Sequence, residues 1–208
     1  MMSEGKLIVM EGLDGCGKST QARLLGAHLL ALGRDCSVQC EPTAGEIGRL
    51  IRRVLSGEVA ASPQVQAALF VADRIAHNDE ITELLSAGKD VISDRYYYSS
   101  LAYQGSYADE EWVKQINTAC PYIRRPDLCI FLEAPVEVCL SRIAAGRNAS
   151  EREIFENAES LERIRARFDE VFASLPEDPV VRIDASGSPE EIRARINAEA
   201  DRVLGLNN

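Results

Sequence analysis

Six cysteines occur in the chain (Cys16, Cys36, Cys40, Cys120, Cys129, Cys139), but no Cys-x-x-Cys pair is among them. No zinc-type double pair is present either, and the apolar surroundings of most of these residues imply reduced, buried thiols. The amino terminus has no basic segment followed by an apolar core, and no apolar run approaches membrane-spanning length. A secretory signal and a membrane span are therefore not expected, and the cytoplasm is the expected compartment. Basic residues are in deficit, 23 against 33 acidic, for a formal net charge of −10. A broad basic surface for DNA or RNA is thereby excluded, and any nucleotide partner should be a small ligand in a locally basic cleft. Long polar linkers, internal repeats and low-complexity tracts are also missing. With 208 residues and 46% hydrophobic content, one substantial core and one domain over residues 1–208 are expected.

What the chain does contain is Gly12-Leu13-Asp14-Gly15-Cys16-Gly17-Lys18-Ser19, which satisfies G-x-x-x-x-G-K-[ST] at every constrained position. The stretch follows the apolar run Leu7–Met10 and opens a helical pattern from Gln21 to Leu32. A buried strand, a glycine-rich turn and a helix whose N-terminus faces the turn make an anion-binding site. The glycines permit the tight turn and leave the amides open, Lys18 would reach β- and γ-phosphates, and Ser19 would ligate Mg²⁺. Cys16 lies in this loop near a helix N-terminus, a setting that can lower a thiol pKa; a packing role is the competing reading.

Leu7–Met10, Cys36–Cys40, Asp90–Ser93, Leu128–Leu132 and Val180–Ile183 read as strands separated by helix-period stretches. The fold class is α/β: a P-loop NTPase-like three-layer fold with a central, mainly five-stranded parallel sheet flanked by helices. Ligands collect beyond the carboxyl ends of such strands, which gives the following segments most of the functional weight. A long helix is expected from a Ser62-Pro63 start to an Ala87-Gly88 stop. Another follows from the stripe Ile154, Ala158, Leu161, Ile164, Phe168, Val171 and Leu175, and Pro189 to Val203 reads as a charged amphipathic helix with a frayed tail from Gly205.

Three constellations could carry chemistry. Val91-Ile92-Ser93-Asp94-Arg95 is a strand ending in an acid that could hold the water shell of Mg²⁺ and a base that could neutralise phosphate; a structural ion pair is the alternative. The aromatic run from Tyr96 to Gly105 suits a pocket for a flat polar ring. Phe70 and Arg74 lie four apart on one helix face, so a base could stack on the ring while the guanidinium bonds its edge, although Phe70 alone is commonly a core residue. His77, one turn on, reads as a packing or surface residue. Arg142, Arg147 and Arg152 flank a glycine-containing turn and would suit a mobile lid around 142–153, unless they are solvated partners of Glu151 and Glu153.

Together these motifs resemble the thymidylate kinases, the archaeal and bacterial ones in particular, nearly end to end. The resemblance is carried by Glu11 through Gln21, Glu41-Pro42-Thr43, Leu69 through Arg74, Asp94-Arg95-Tyr96 with Ala102-Tyr103-Gln104-Gly105, Pro126-Asp127-Leu128 and Ile183 through Ser186. The phosphate loop indicates only an NTP-binding protein; Asp-Arg-Tyr followed at this distance by Ala-Tyr-Gln-Gly is far more specific. The resemblance implies transfer of the γ-phosphoryl group of ATP to dTMP, in dTTP biosynthesis, by a cytoplasmic homodimer using Mg²⁺. It implies that residues Gly12 to Thr20 and Arg142 bind ATP, with Ser19 and Asp94 organising the metal. Asp14 would contact the deoxyribose 3′-hydroxyl, and Phe70 would stack on thymine. Arg74 and Ser100 would read the base edge, Ser99, Tyr103 and Gln104 would line base and sugar, and Arg95 would grip the acceptor phosphate. Arg147 and Arg152 would supply lid charge, since the phosphate loop lacks the arginine that some relatives place there.

The resemblance breaks at Cys40, where the family has an arginine that binds the acceptor phosphate. Either Arg95 with Arg49 or Arg74 compensates, or acceptor binding is weaker or altered. Two other functions stand beside the kinase reading: phosphorylation of another nucleotide or a nucleoside, and a non-catalytic nucleotide-binding module.

Overall fold

The computed structural model describes residues 4–146 and 157–206. Its sheet contains five strands, β1 (Leu7–Gly12), β2 (Cys36–Cys40), β3 (Asp90–Asp94), β4 (Leu128–Glu133) and β5 (Val180–Asp184), all parallel in the order β2-β3-β1-β4-β5. The central strands β1, β3 and β4 are buried on both faces, as their continuous apolar runs require. Each strand runs one residue or more past its apolar segment except β2, and these extensions carry Gly12, Asp94, Glu133 and Asp184 to one edge of the sheet.

Helices α1 (Lys18–Ala31), α2 (Glu46–Leu55), α3 (Pro63–Ser86), α4 (Tyr97–Tyr103), α5 (Glu110–Thr118), α6 (Val136–Gly146), α7 (Ala158–Ala173) and α8 (Pro189–Leu204) connect and cover the sheet. Ser62 caps α3 by accepting from the Val65 amide, with Pro63 in the first turn as its sequence implies. In α7 the stripe Leu161, Ile164, Phe168 and Val171 is buried. Ala158, however, is exposed, Leu175 lies beyond the last turn, and Ile154 falls outside the described residues.

At Gly205 and Leu206 the end of α8 departs from the frayed tail expected; residues 207–208 lie outside the described residues. Gly205 adopts a left-handed conformation (φ 67°) and the Leu206 amide donates to Asp201 O at 2.8 Å, a Schellman-type closure that seats Leu206 against the core. The core itself lies on both sides of the sheet. Phe131, Phe168 and Phe172 form an aromatic cluster on the α7 side, with Phe131 and Phe168 centroids 5.0 Å apart.

Candidate active site

The turn from β1 into α1 places its chemistry by backbone constraint. Gly17 sits at φ 107° as the residue preceding α1, and open space lies where a Cβ would project, so the first amides of the helix are uncovered on the side from which an anion would approach. Lys18 is buried, and its Nζ donates to Gly12 O at 3.0 Å and Leu13 O at 2.8 Å, which folds the ammonium back over the loop. The Cys16 sulfur fills the space beside Gly12. Burial pushes the Cys16 thiol pKa up, against the opposing effect of Lys18, so the helix N-terminus does not make it a reactive thiol and the packing reading holds.

Ser19 Oγ donates to Asp94 Oδ2 across the junction of α1 and β3. The other carboxylate oxygen, Asp94 Oδ1, is buried without a hydrogen-bond partner. An orphaned acceptor beside a hydroxyl, both lining the cavity, is a donor set that suits a hard divalent cation completed by phosphate and water. Among the described residues no group of three or more His, Cys, Asp or Glu side chains forms a metal cage, so any such ion would depend on its other ligands.

Arg95 follows at φ 75°, a left-handed backbone that a non-glycine residue rarely adopts. Its NH1 donates to Ser99 Oγ at 2.8 Å, its NH2 pairs with Asp14, and its guanidinium lies 5.3 Å from the Tyr103 ring centroid. Tyr103 donates its hydroxyl to the other Asp14 oxygen at 3.1 Å. Burial opposes the charge on Arg95, but Asp14, Tyr103, Glu11 and Asp94 outweigh it and hold its pKa well above the ordinary value. Burial likewise raises the Tyr103 phenol.

These groups share a cavity of about 570 Å³. Of the residues singled out in the sequence, Asp14 through Thr20 and Arg142 line it on the α1 and α8 side. Phe70, Asp94, Arg95, Ser99, Tyr103 and Gln104 line it toward α3 and α4. Arg142 NH1 donates to Cys16 O at 3.2 Å and Ala185 O at 3.1 Å, tying the loop to the end of β5. Gly12 and Leu13 are buried beneath the loop. Arg147 and Arg152 lie outside the described residues.

Arg74 and Ser100 do not line the cavity. Arg74 is 1% exposed; it pairs with Glu41 at 2.7 Å, reaches Ser100 Oγ from both terminal nitrogens at 3.2 Å, donates to Asn117 Oδ1 and lies 5.5 Å from the Tyr96 ring centroid. His77 is a buried packing residue between Glu41 (2.9 Å) and Gln39 (2.7 Å). The aromatic run needs correction as well. Tyr96, Tyr97 and Tyr98 are core residues whose hydroxyls meet Asn78 (2.8 Å) and Asp178 (2.5 and 2.9 Å), leaving Tyr103 to face the cavity.

Of the arginines expected to compensate for Cys40, Arg95 lines the cavity, whereas Arg49 and Arg74 do not. Arg49 is exposed and bonded to Ala44 O and Glu46, away from the cavity. Arg52, one turn further along α2, lines the cavity with Leu55, and its guanidinium donates to Thr43 O at 2.5 Å and to Pro42 O. It is close enough to Cys40 to lower that thiol's pKa against the larger raising effects of burial and Asp94. The signal in the sequence was the spacing Gly48, Ile51 and Val54, which buries one face of α2 and leaves Arg52 at its margin.

The thymidylate kinase family profile matches residues 10–196. The chain belongs to the thymidylate kinase family. It is 38% identical to a thymidylate kinase of Desulfotalea psychrophila over 204 residues, 97% of either chain. It is 40% identical to a probable thymidylate kinase of Pyrococcus horikoshii over 211 residues, 97% of this chain and 99% of that one. A putative thymidylate kinase of Treponema pallidum is 37% identical over 91% of each. Membership makes the chain an ATP-dependent nucleoside monophosphate kinase, a phosphotransferase.

Proposed function

We propose that the chain transfers the γ-phosphoryl group of ATP to dTMP, giving ADP and dTDP. The observation that carries this reading is that the Lys18 loop and the Arg95, Asp14 and Tyr103 cluster line the same cavity, so donor and acceptor phosphates can meet without water between them. In the reaction a dTMP phosphate oxygen attacks the γ-phosphorus in line, a new P–O bond forms, and the bond to the β-bridging oxygen breaks to release ADP. The nucleophile is already anionic near neutral pH, so no general base is required. Lys18 leaves its loop carbonyls to follow the transferring charge, and Arg95 holds the acceptor phosphate. Arg52 supplies the positive charge that Cys40 does not, and Phe70 with Leu55 forms the apolar wall against the thymine ring. Arg142 closes the donor end. Ser19 and Asp94 would hold Mg²⁺, which supplies charge neutralisation at the phosphate oxygens when bound.

The chain acts as one nucleoside monophosphate kinase-like unit over residues 1–208, with a lid around 142–153 in which Arg147 and Arg152 shield the transferring group. The family resemblance adds a homodimer working in the cytoplasm; among the described residues no helix is long and apolar enough to cross a membrane. An ADP-release assay with ATP and Mg²⁺, offering dTMP, dUMP, thymidine, dCMP and dGMP in parallel and using Lys18→Ala as the blank, tests the reading. Activity with dTMP well above the rest supports it. Turnover of thymidine, or ATP binding without any acceptor-dependent ADP, would replace it with a nucleoside kinase or a non-catalytic nucleotide-binding module.

A further inference from the structure

Glu11 plays no part in the chemistry above, yet it is a fully buried carboxylate one residue before the phosphate loop. Burying an ionised carboxylate is costly, and an apolar residue on a central strand would be the cheaper choice unless the charge is used. Its partners show how it is used. Glu11 Oε1 accepts from the Tyr96 amide at 2.8 Å and the Ser99 amide at 3.1 Å, the uncovered donors at the start of α4. Glu11 Oε2 accepts the Ser99 hydroxyl proton at 2.7 Å. With its one hydroxyl hydrogen directed at Glu11, Ser99 Oγ accepts from Arg95 NH1 at 2.8 Å through its lone pairs.

The direction of these bonds sets the orientation of Arg95. Its backbone is fixed in the left-handed region by its amide, which donates to Met10 O at 2.9 Å, and by its carbonyl, which accepts from Ser93 Oγ at 2.8 Å. The side chain leaves that fixed base and is aimed by Ser99 on one side and Asp14 on the other. A neutral amide at position 11 could satisfy the two α4 amides only by turning its NH₂ toward Ser99. The hydroxyl would then lose its acceptor, and its proton would be free to point at the guanidinium.

We propose that Glu11 is a positioning residue for Arg95, acting through Ser99, and that it sets the affinity for the phosphate of the acceptor nucleotide while leaving the ATP side largely untouched. This rests on the reading that Arg95 grips the acceptor phosphate.

The experiment compares wild type with Glu11→Gln, Ser99→Ala, the double variant and Arg95→Ala, measuring KM for dTMP and for ATP, kcat and thermal unfolding. Glu11→Gln should raise KM for dTMP about tenfold with KM for ATP changed less than about twofold, because a charge-assisted bond is lost on one side of the cavity only. Ser99→Ala should act in the same direction, and the double variant should be no worse than the more impaired of the two singles, because both changes break one relay. Equal movement of both KM values, an unchanged KM for dTMP in Ser99→Ala, or effects that multiply in the double variant would overturn the proposal. Ser99→Ala decides the matter should Glu11→Gln fail to fold. If Arg95→Ala leaves KM for dTMP unchanged, the acceptor-site reading itself falls; if Arg95→Ala raises it and Glu11→Gln does not, only the role of Glu11 falls.

Discussion

Cys40, on the edge strand β2, and Arg52, on the following helix α2 and lining the cavity, stand within electrostatic reach of one another. A guanidinium there serves an anion as well as one mounted on the strand, since charge acts over distance and the hydrogen-bond fork can arrive from either element. Replacing Arg52 by Ala should therefore raise KM for dTMP about tenfold with little change in KM for ATP, whereas the same change at Arg49 should do neither; steady-state kinetics with each substrate varied would tell. Cysteine chemistry separates along the same line. Cys40 is exposed, whereas Cys16 is buried with its thiol pushed up by that burial. Brief alkylation of the native protein followed by peptide mapping should find label at Cys40 and none at Cys16. The sequence favours a packed Cys16 but leaves a reactive one open, because a motif says which helix end is near but not how much water reaches the sulfur.

At the level of elements, the five strands and the helices α1, α3, α7 and α8 are legible from apolar runs, periodicity and end signals. The stretch from Tyr96 to Gly105 is not. Every residue of α4 is buried, so it has no polar face to reveal a period, and its aromatics look like a ligand pocket when most of them fill the core. The start of α8 shows the opposite case, with Ser188, Pro189 and Glu191 forming a capping box that is readable from the letters alone. The Ser188 amide and hydroxyl hold Glu191 below the ordinary carboxylate pKa. A depressed pKa in the folded state contributes stability that is complete above the unfolded value and disappears as pH falls through the folded one. Thermal unfolding followed by circular dichroism should therefore lose more stability between about pH 5 and pH 3 in wild type than in Glu191→Gln. Equal slopes would mean that the box contributes nothing to α8.

For the whole molecule, Arg74 matters more than its spacing from Phe70 suggests. It gathers Glu41 from the end of β2, Ser100 from α4, Asn117 from α5 and the Tyr96 ring around one buried guanidinium on α3. An i-to-i+4 pair such as Phe70 and Arg74 can be read from a sequence, but a junction of segments far apart in the chain cannot, and this is why base recognition is the natural inference from the sequence. Arg74→Met would leave Glu41 buried beside His77 without its main partner. Removing one side of a buried pair costs about 3–5 kcal/mol. Chemical denaturation should show that loss as a lower midpoint for the whole transition, with Phe70→Ala, at the half-exposed cavity wall, costing much less. A midpoint for Arg74→Met close to that of wild type would make Arg74 available for ligand instead.

The strand order has a consequence for how this protein comes into being. β1, which ends in the phosphate loop, is flanked by β3 and β4, whose first residues are Asp90 and Leu128. The loop is synthesised before the strands that clamp it, and such distant pairings close slowly. A growing chain therefore has its nucleotide motif early and its nucleotide site late. A ribosome-bound chain ending before Leu128 should be protected poorly by ATP, and substrate can help folding only after most of the sheet exists.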